Sequence, residues 1–317
     1  MLRFFITFLL VVAGVPAQAA YPEKPIRFIL PSAAGGSVDV LMRVLAQQLS
    51  AQMGVAFVVE NKPGGAFVPG TMDIVRAAPD GYTLGYGNIV SLAINRALLP
   101  NVPYDVERDL TLVSNCVQVF NMLAVNNDLP VRSVQELVAY AKKNPGKLTN
   151  GSSGNGTTGH LGGELFKFMT GTDIVHVPYK GSAQAINDLM GGNIQVMFDN
   201  VPSIGPHVKA GRVRGLGVSS PKRAAQFPDL PTIAEAVPGY ETNSWGGVIG
   251  PAKLPSEVLN RLVAEIRKAL AAPAVVERYR QLDTEPDGAG PEAFLELVRK
   301  ETPKWADVVK KSGAKVD

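Results

Sequence analysis

The chain is short of several things, and each shortage excludes something. It has one cysteine, Cys116, and three histidines. A lone cysteine makes no intramolecular disulfide, so a hydrophobic core must hold the fold. Cys116 lies in the apolar run 110–125 and reads as a small buried side chain. His160, His176 and His207 show no metal-ligand spacing and the cysteine is remote, so no metal site is expected. Charge of one sign is also lacking. The 31 Lys and Arg face 28 Asp and Glu, scattered along the chain, which excludes a nucleic-acid patch or a polybasic membrane anchor. The basic stretch from Lys304 to Lys315 is mixed with Asp307 and apolar residues and reads as the solvated face of a helix. There is no Gly-x-Ser-x-Gly elbow, no paired catalytic carboxylates, no short internal repeat and no low-complexity linker.

What is present begins with Met1-Leu2-Arg3, an apolar run from Phe4 to Val15, and Ala17-Gln18-Ala19. That pattern is a secretory signal peptide, too short to span a bilayer, with cleavage expected after Ala19 or Ala20. No cysteine stands at the junction, so no lipid anchor is expected. No other segment is long and apolar enough to cross a membrane, and the mature chain is expected to be exported and soluble. Its roughly 300 residues suggest about two domains.

Strand and helix patterns then alternate. Ile26 to Leu30, Ala56 to Val59 and Tyr82 to Tyr86 read as strands, separated by helical spacing over 38–49 and 71–78 and followed by a helix from Ile89 to Leu98. The β-rich run 110–125 reads as a strand pair or a crossover. A second alternation follows. A capping box at Ser133 opens a helix that ends near Asn144; strands follow at 148–152, 174–177, 194–198 and 213–218, with helices at 158–169, 183–190 and 202–210. A second capping box stands at Thr232-Ile233-Ala234-Glu235. Trp245 to Gly250 reads as a strand leading back, with Trp245 packing at a hinge. Three helices close the chain: 255–271, 273–282, and 291–311 with a kink or break expected at Pro303. This is an α/β chain of two lobes, each a mainly parallel sheet flanked by helices. The expected boundaries are 1–20 for the signal, 21–122 for lobe 1, 123–244 for lobe 2, and 245–317 for the return to lobe 1. Two crossings make a hinge and a cleft.

Two loops carry the functional signal. Asn150 to Leu161 and Pro31 to Asp39 each join a strand to a helix, are rich in glycine and small hydroxyls, and contain no basic side chain. Such a loop points free N–H groups at one spot, with the positive end of the helix dipole behind them, and suits a phosphate or carboxylate. Residues 154–159 formally match the dinucleotide fingerprint. The following strand ends in Pro178-Tyr179-Lys180, however, without the acid that would meet the ribose, so the loop reads as an anion site with no cofactor. The ligand-facing candidates are Ser32, Ala34, Gly35 and Gly36 from the first loop and Ser152, Ser153, Gly154, Gly156, Thr157 and Thr158 from the second. Asn88 and Ser91, after the third strand, are further candidates. Lys180 could meet a second carboxylate or be a solvated charge. Asp199 could contact a ligand hydroxyl or ammonium, or only cap the next helix. Asp39 and His160 are expected to brace the loops. The alternative reading is an exported hydrolase with the Ser152–Thr158 loop as oxyanion hole, although Ser152 and Ser153 have no nearby base in sequence.

Many short motifs occur together in order. They include Tyr21-Pro22-Glu23-Lys24-Pro25-Ile26, Ala34-Gly35-Gly36 with Asp39 and Arg43, Val59-Glu60-Asn61-Lys62-Pro63-Gly64 and Pro79-Asp80-Gly81-Tyr82-Thr83-Leu84. Later come Pro103-Tyr104-Asp105, Gly151-Ser152-Ser153-Gly154 through His160-Leu161, His176-Val177-Pro178-Tyr179-Lys180-Gly181 and Pro228-Asp229-Leu230-Pro231-Thr232. In this order the chain resembles the Bug-type extracytoplasmic solute receptors of the tripartite tricarboxylate transporters over essentially its whole mature length. It departs from that pattern at Phe67 and Pro69, and at Ser32-Ala33. The resemblance implies a monomeric periplasmic receptor of Venus-flytrap form, not an enzyme. It would hold a small organic carboxylate by backbone N–H groups and small hydroxyls and deliver it to a membrane permease, or, as an alternative, signal to a sensor protein.

Overall fold

The computed structural model describes residues 21–314. The expected signal peptide and Lys315 lie outside them. The first half of the chain runs β1 (Ile26–Leu30), α1 (Ser37–Met53), β2 (Phe57–Asn61), α2 (Val68–Val75) and β3 (Thr83–Asn88). A wide helical turn at Val90–Ile94 follows, then α3 (Asn95–Leu98), α4 (Val106–Asp109) and β4 (Leu110–Val125). Next come α5 (Val134–Lys143), β5 (Leu148–Ser152), α6 (Thr158–Thr170), β6 (Ile174–Pro178), α7 (Ser182–Gly191), β7 (Val196–Asn200), α8 (Val201–Lys209) and β8 (Arg214–Val218). The chain closes with β9 (Asn243–Pro251), α9 (Ser256–Leu270), α10 (Pro273–Gln281), β10 (Glu285–Pro286) and α11 (Pro291–Ser312).

β1 pairs in parallel with β2 and β3, and β5 in parallel with β6 and β7. These two parallel cores are what short, buried apolar runs joined by helices require. β4 and β9 add antiparallel neighbours: β9 lies between β3 and β4, and β4 also pairs with β7 and β8. The run 110–125 is therefore not a strand pair but the crossover out of the first sheet. It is one strand of 16 residues shared by both sheets, its first part on β9 and its last five residues on β7. Register shifts beside Ser114 and Val117 let it bend between the two. Side-chain alternation puts Phe28 in one apolar layer with Leu41, Leu45 and Ile266, and Ile29 in another with Ile74, Ile249 and Phe294. The second sheet is likewise covered on both faces, by Phe166 and Tyr240 on one and by Ile186 and Ile204 on the other.

The terminal helices pack on the first sheet, as expected, and α11 also reaches α6 of the second. Leu161 of α6 lies in the same apolar layer as Trp245, Phe294, Val298 and Trp305. Trp245 is fully buried, edge-on to Phe294 at 5.9 Å. The break expected at Pro303 is absent: α11 runs unbroken from Pro291 to Ser312. Phe294, Val298, Trp305 and Val308 anchor the helix on either side of the proline, and this buried face outweighs the one backbone hydrogen bond that proline removes. The capping box at Thr232 is complete. At Ser133 the hydroxyl accepts the Glu136 N–H, while the Glu136 carboxylate reaches Arg132 N instead of closing the box.

β4 and β9 touch most closely at Gly247. A β-carbon there would overlap the Ser114 carbonyl oxygen and Asn115 Cα, both backbone atoms that cannot rotate away. Gly247→Ala should cost ~3 kcal/mol, the upper end for overpacking. Urea denaturation that shows an unchanged midpoint would contradict so close an approach.

Candidate functional site

Strand register places the loops. Asn88, the last residue of β3, lies opposite Gly246 of β9, and Asn243 of β9 lies opposite Phe120 of β4. Asn121 lies opposite Asn200, the last residue of β7, and its carbonyl accepts the N–H of Ser219, just beyond β8. The carboxyl ends of the parallel strands in both sheets therefore converge on the middle of β4. Ligands of open α/β sheets bind beyond such strand ends.

The first loop is shaped by Asp39. Its carboxylate accepts the Gly35 N–H at 3.0 Å, the Asn61 amide at 2.8 Å and the Arg43 guanidinium at 3.0 Å. Burial acts to raise its pKa, but these donors prevail and hold it below the usual carboxylate value. Gly35 adopts φ 81°, a left-handed conformation that suits glycine, and the loop from Ala33 to Gly36 is exposed. Gly36 is the N-cap of α1, in extended conformation, and a β-carbon on it would meet only Ala33 O at 3.7 Å. The steric need for glycine in this loop therefore falls on Gly35, not Gly36. The first-turn N–H groups of α1 have no carbonyl partner within the helix. Ser32 is half-buried, with its hydroxyl oxygen buried and unpartnered.

The second loop is more tightly tied. Gly154 and Gly156 both have positive φ. Thr157 Oγ1 donates to Gly154 O at 2.8 Å and accepts the His160 N–H. The Gly156 N–H, expected to face an anion, donates instead to His160 Nδ1 at 3.0 Å, so the proton of the neutral imidazole sits on Nε2. Ser152 is fully buried. Its hydroxyl bonds with the Gly154 backbone and lies 2.7 Å from His176 Nε2. Asn88 and Ser91, also expected to face a ligand, are buried and hydrogen-bonded to each other. Thr158 is buried with its hydroxyl on Asn121 Oδ1. Ser153 and Gly154 are half-buried, and Thr158 and Gly159 open α6. Gly159 carries no side chain because a β-carbon would overlap the Phe198 carbonyl, so the helix end sits directly on β7. Lys180 is exposed beside this loop, whose Ser152 carbonyl accepts the Tyr179 N–H.

Sequence reasoning set His176 aside as no metal ligand and did not place it beside the second loop. Its ring stacks on His160 with centroids 3.9 Å apart, from a strand 16 residues away. It also passed over Asn121, the polar residue within an apolar run, whose Nδ2 is buried without a partner. Asp199 is buried at the end of β7 with one oxygen unpartnered. Among the described residues no group of three His, Cys, Asp or Glu could hold a metal ion. A cavity of about 250 Å³ between Tyr104, Glu107 and α11 is lined by neither loop.

Burial, followed by the facing His176 and by Lys167, pushes His160 down to about 3; burial and then Lys167 push His176 down to about 4. An unfolded histidine titrates near ~6.5, so below that pH the unfolded chain binds more protons and stability falls as pH drops toward 4. Burial raises Asp199 to about 6, and its cost is relieved as pH falls from there, offsetting one of the two histidines. The net effect is loss of stability in acid. His176→Gln should flatten the fall in Tm between pH 6.5 and 4, and an unchanged slope would show that this imidazole is not held neutral by the fold.

The family model for the tripartite tricarboxylate transporter family receptor matches residues 41–314. Protein BugT of Bordetella pertussis is 36% identical over 309 residues, 96% of this chain and 95% of its own. The R. palustris protein Rpa4515, solved with adipate, superposes with a TM-score of 0.89 at 37% identity, covering 94% of this chain and all of the other. MatC from Rhodopseudomonas palustris, solved with malate, gives a TM-score of 0.85 at 26% identity, covering 91% of this chain and all of the other. With its two crossing strands and paired strand-end loops, this chain belongs to the tripartite tricarboxylate transporter family of receptors.

Proposed function

We propose that this receptor works in the periplasm. It captures a small organic carboxylate between the N-terminus of α1 and that of α6 and passes it to a tripartite tricarboxylate-type permease. The observation that carries this reading is the convergence of both strand-end loops on the middle of β4, each opening a helix whose first N–H groups lack carbonyl partners. The adipate and malate in the two R. palustris relatives support the ligand class. Neither loop has a Lys or Arg, so the grip comes from backbone dipoles and small hydroxyls, with Ser153 and the edge of the 34–36 turn nearest the ligand. The contacting set is thereby narrowed. Asn88, Ser91, Ser152, Gly156 and Thr157 support the loops, and Ala34, Gly36, Ser153, Gly154 and the first turns of α1 and α6 face the ligand. The lobes divide near residues 121–122 and 242–243, and bending of β4 and β9 there closes the cleft. The chain acts as a monomer after removal of its signal peptide near Ala19 or Ala20.

The hydrolase alternative has one observation in its favour, the 2.7 Å contact of Ser152 with His176. Against it, Ser152 is fully buried, and an imidazole pushed down to about 4 is far from the value near ~7 that suits a general base. We therefore read the contact as a brace for the loop and the protein as a receptor without turnover.

Gly36 gives the cleanest test, because its conformation tolerates a side chain. Gly36→Val should weaken carboxylate binding by at least ~1.4 kcal/mol, tenfold, in calorimetric titration, with little change in Tm. Lys180→Ala should weaken it only modestly. Complete loss of binding in Lys180→Ala, or unchanged affinity in Gly36→Val, would contradict a backbone-held carboxylate.

A further inference from the structure

The end of β7 holds a charge that a carboxylate-binding cleft does not call for. Asp199 is only 4% exposed, and its Oδ2 is buried with no hydrogen-bond partner. None of the ion pairs among the described residues includes it. The polar groups acting on it are the Ser182 hydroxyl, at the first turn of α7, and the Asn200 N–H. An amide side chain could turn over to satisfy an orphaned atom, but an ionised carboxylate has only acceptors and can be satisfied only by a donor brought to it. A buried carboxylate with no cation beside it is costly, and burial, only partly offset by these two donors, raises this one to about 6, so it is charged at neutral pH. Asp199 lies opposite Met122, next to the register pair Asn121–Asn200 on which Thr158 and the N-terminus of α6 rest. An acid that offered this position nothing but oxygen lone pairs would bring a second negative charge toward it.

We propose that Asp199 selects acids that also carry a hydrogen-bond donor, a hydroxyl or an ammonium, close to the carboxylate held by the two loops. The ligand class is then hydroxy acids or amino acids rather than plain carboxylates. This rests on the reading of the loops as the carboxylate site. In the bound state the donor meets Asp199 Oδ2 while the first turns of α1 and α6 hold the carboxylate, so opposite ends of one polar group are read by opposite kinds of partner.

The test is calorimetric titration at pH 7.5 with matched acids: succinate, malate and aspartate, and adipate beside 2-hydroxyadipate and 2-aminoadipate. In the wild-type protein the hydroxy or the amino member should bind at least tenfold more tightly than the plain acid of the same length. Asp199→Asn should bring that gap within about threefold and, by removing an unpaired buried charge, raise the Tm of the ligand-free protein at pH 7. A plain acid that binds wild type as tightly as its substituted partners overturns the role of Asp199 and leaves the carboxylate site standing. A gap that survives in folded Asp199→Asn also overturns it. If no acid of either series binds, the carboxylate reading falls and this inference with it. Should Asp199→Asn fail to fold, the wild-type series decides alone.

Discussion

An α-helix leaves its first N–H groups without carbonyl partners, and the proposed site uses two such ends, those of α1 and α6. A free N–H is a weak anion ligand by itself. It gains strength when several converge with the helix dipole behind them and when the chain holds them still before the ligand arrives. Here Asp39, Arg43 and Asn61 fix the loop before α1, and the stacked His160 and His176 fix the loop before α6. The two braces differ in kind. The first is ionic and part-exposed. The second is a pair of neutral, partly desolvated rings whose neutrality is enforced by burial. The charge of Asp39 is matched by Arg43 at 3.0 Å, which weakens its opposition to an anion at the proposed site.

Joining the halves through strands instead of loops has a mechanical consequence. β4 and β9 are hydrogen-bonded to each other through the crossing, up to the pair Phe120–Asn243, and a hinge of that kind can bend and twist but cannot extend. α11 adds a second restraint, because it packs on the first sheet and against α6 at once. The helix that presents the second loop thus shares, through Leu161, the apolar layer of Trp245, Phe294 and Trp305, and the proposed closure would move Leu161 against that layer.

Much of this was legible in the sequence, and the exceptions have physical causes. Short apolar runs between turn residues gave the parallel strands, and Gly-rich joints before helical spacing gave both loops, because backbone geometry at these places depends on local sequence. β4 was not legible as one strand, since a typical strand has ~5–6 residues and nothing local shows that one run serves two sheets. The break expected at Pro303 is absent for the same reason: tertiary packing of α11 overrode a local rule. In the site, the residue types were readable but the direction of their hydrogen bonds was not. Ser152 and Gly156 have the chemistry to hold an anion, and each is drawn inward by a histidine: Ser152 by one 24 residues away in sequence, Gly156 by one four residues on. Asp199 presents the reverse case. What distinguishes it is a buried carboxylate oxygen, Oδ2, without a partner, which only the folded arrangement reveals.

The central claim is that one carboxylate is held at once by the N-termini of α1 and α6. Titration of the ¹⁵N-labelled protein with a bound carboxylate, followed by amide shifts, tests it most directly. The amides of Ser37, Val38, Thr158 and Gly159 should move downfield together and saturate at the same ligand concentration. Shifts confined to one of the two loops, or centred on the cavity beside Tyr104 and Arg299, would contradict it.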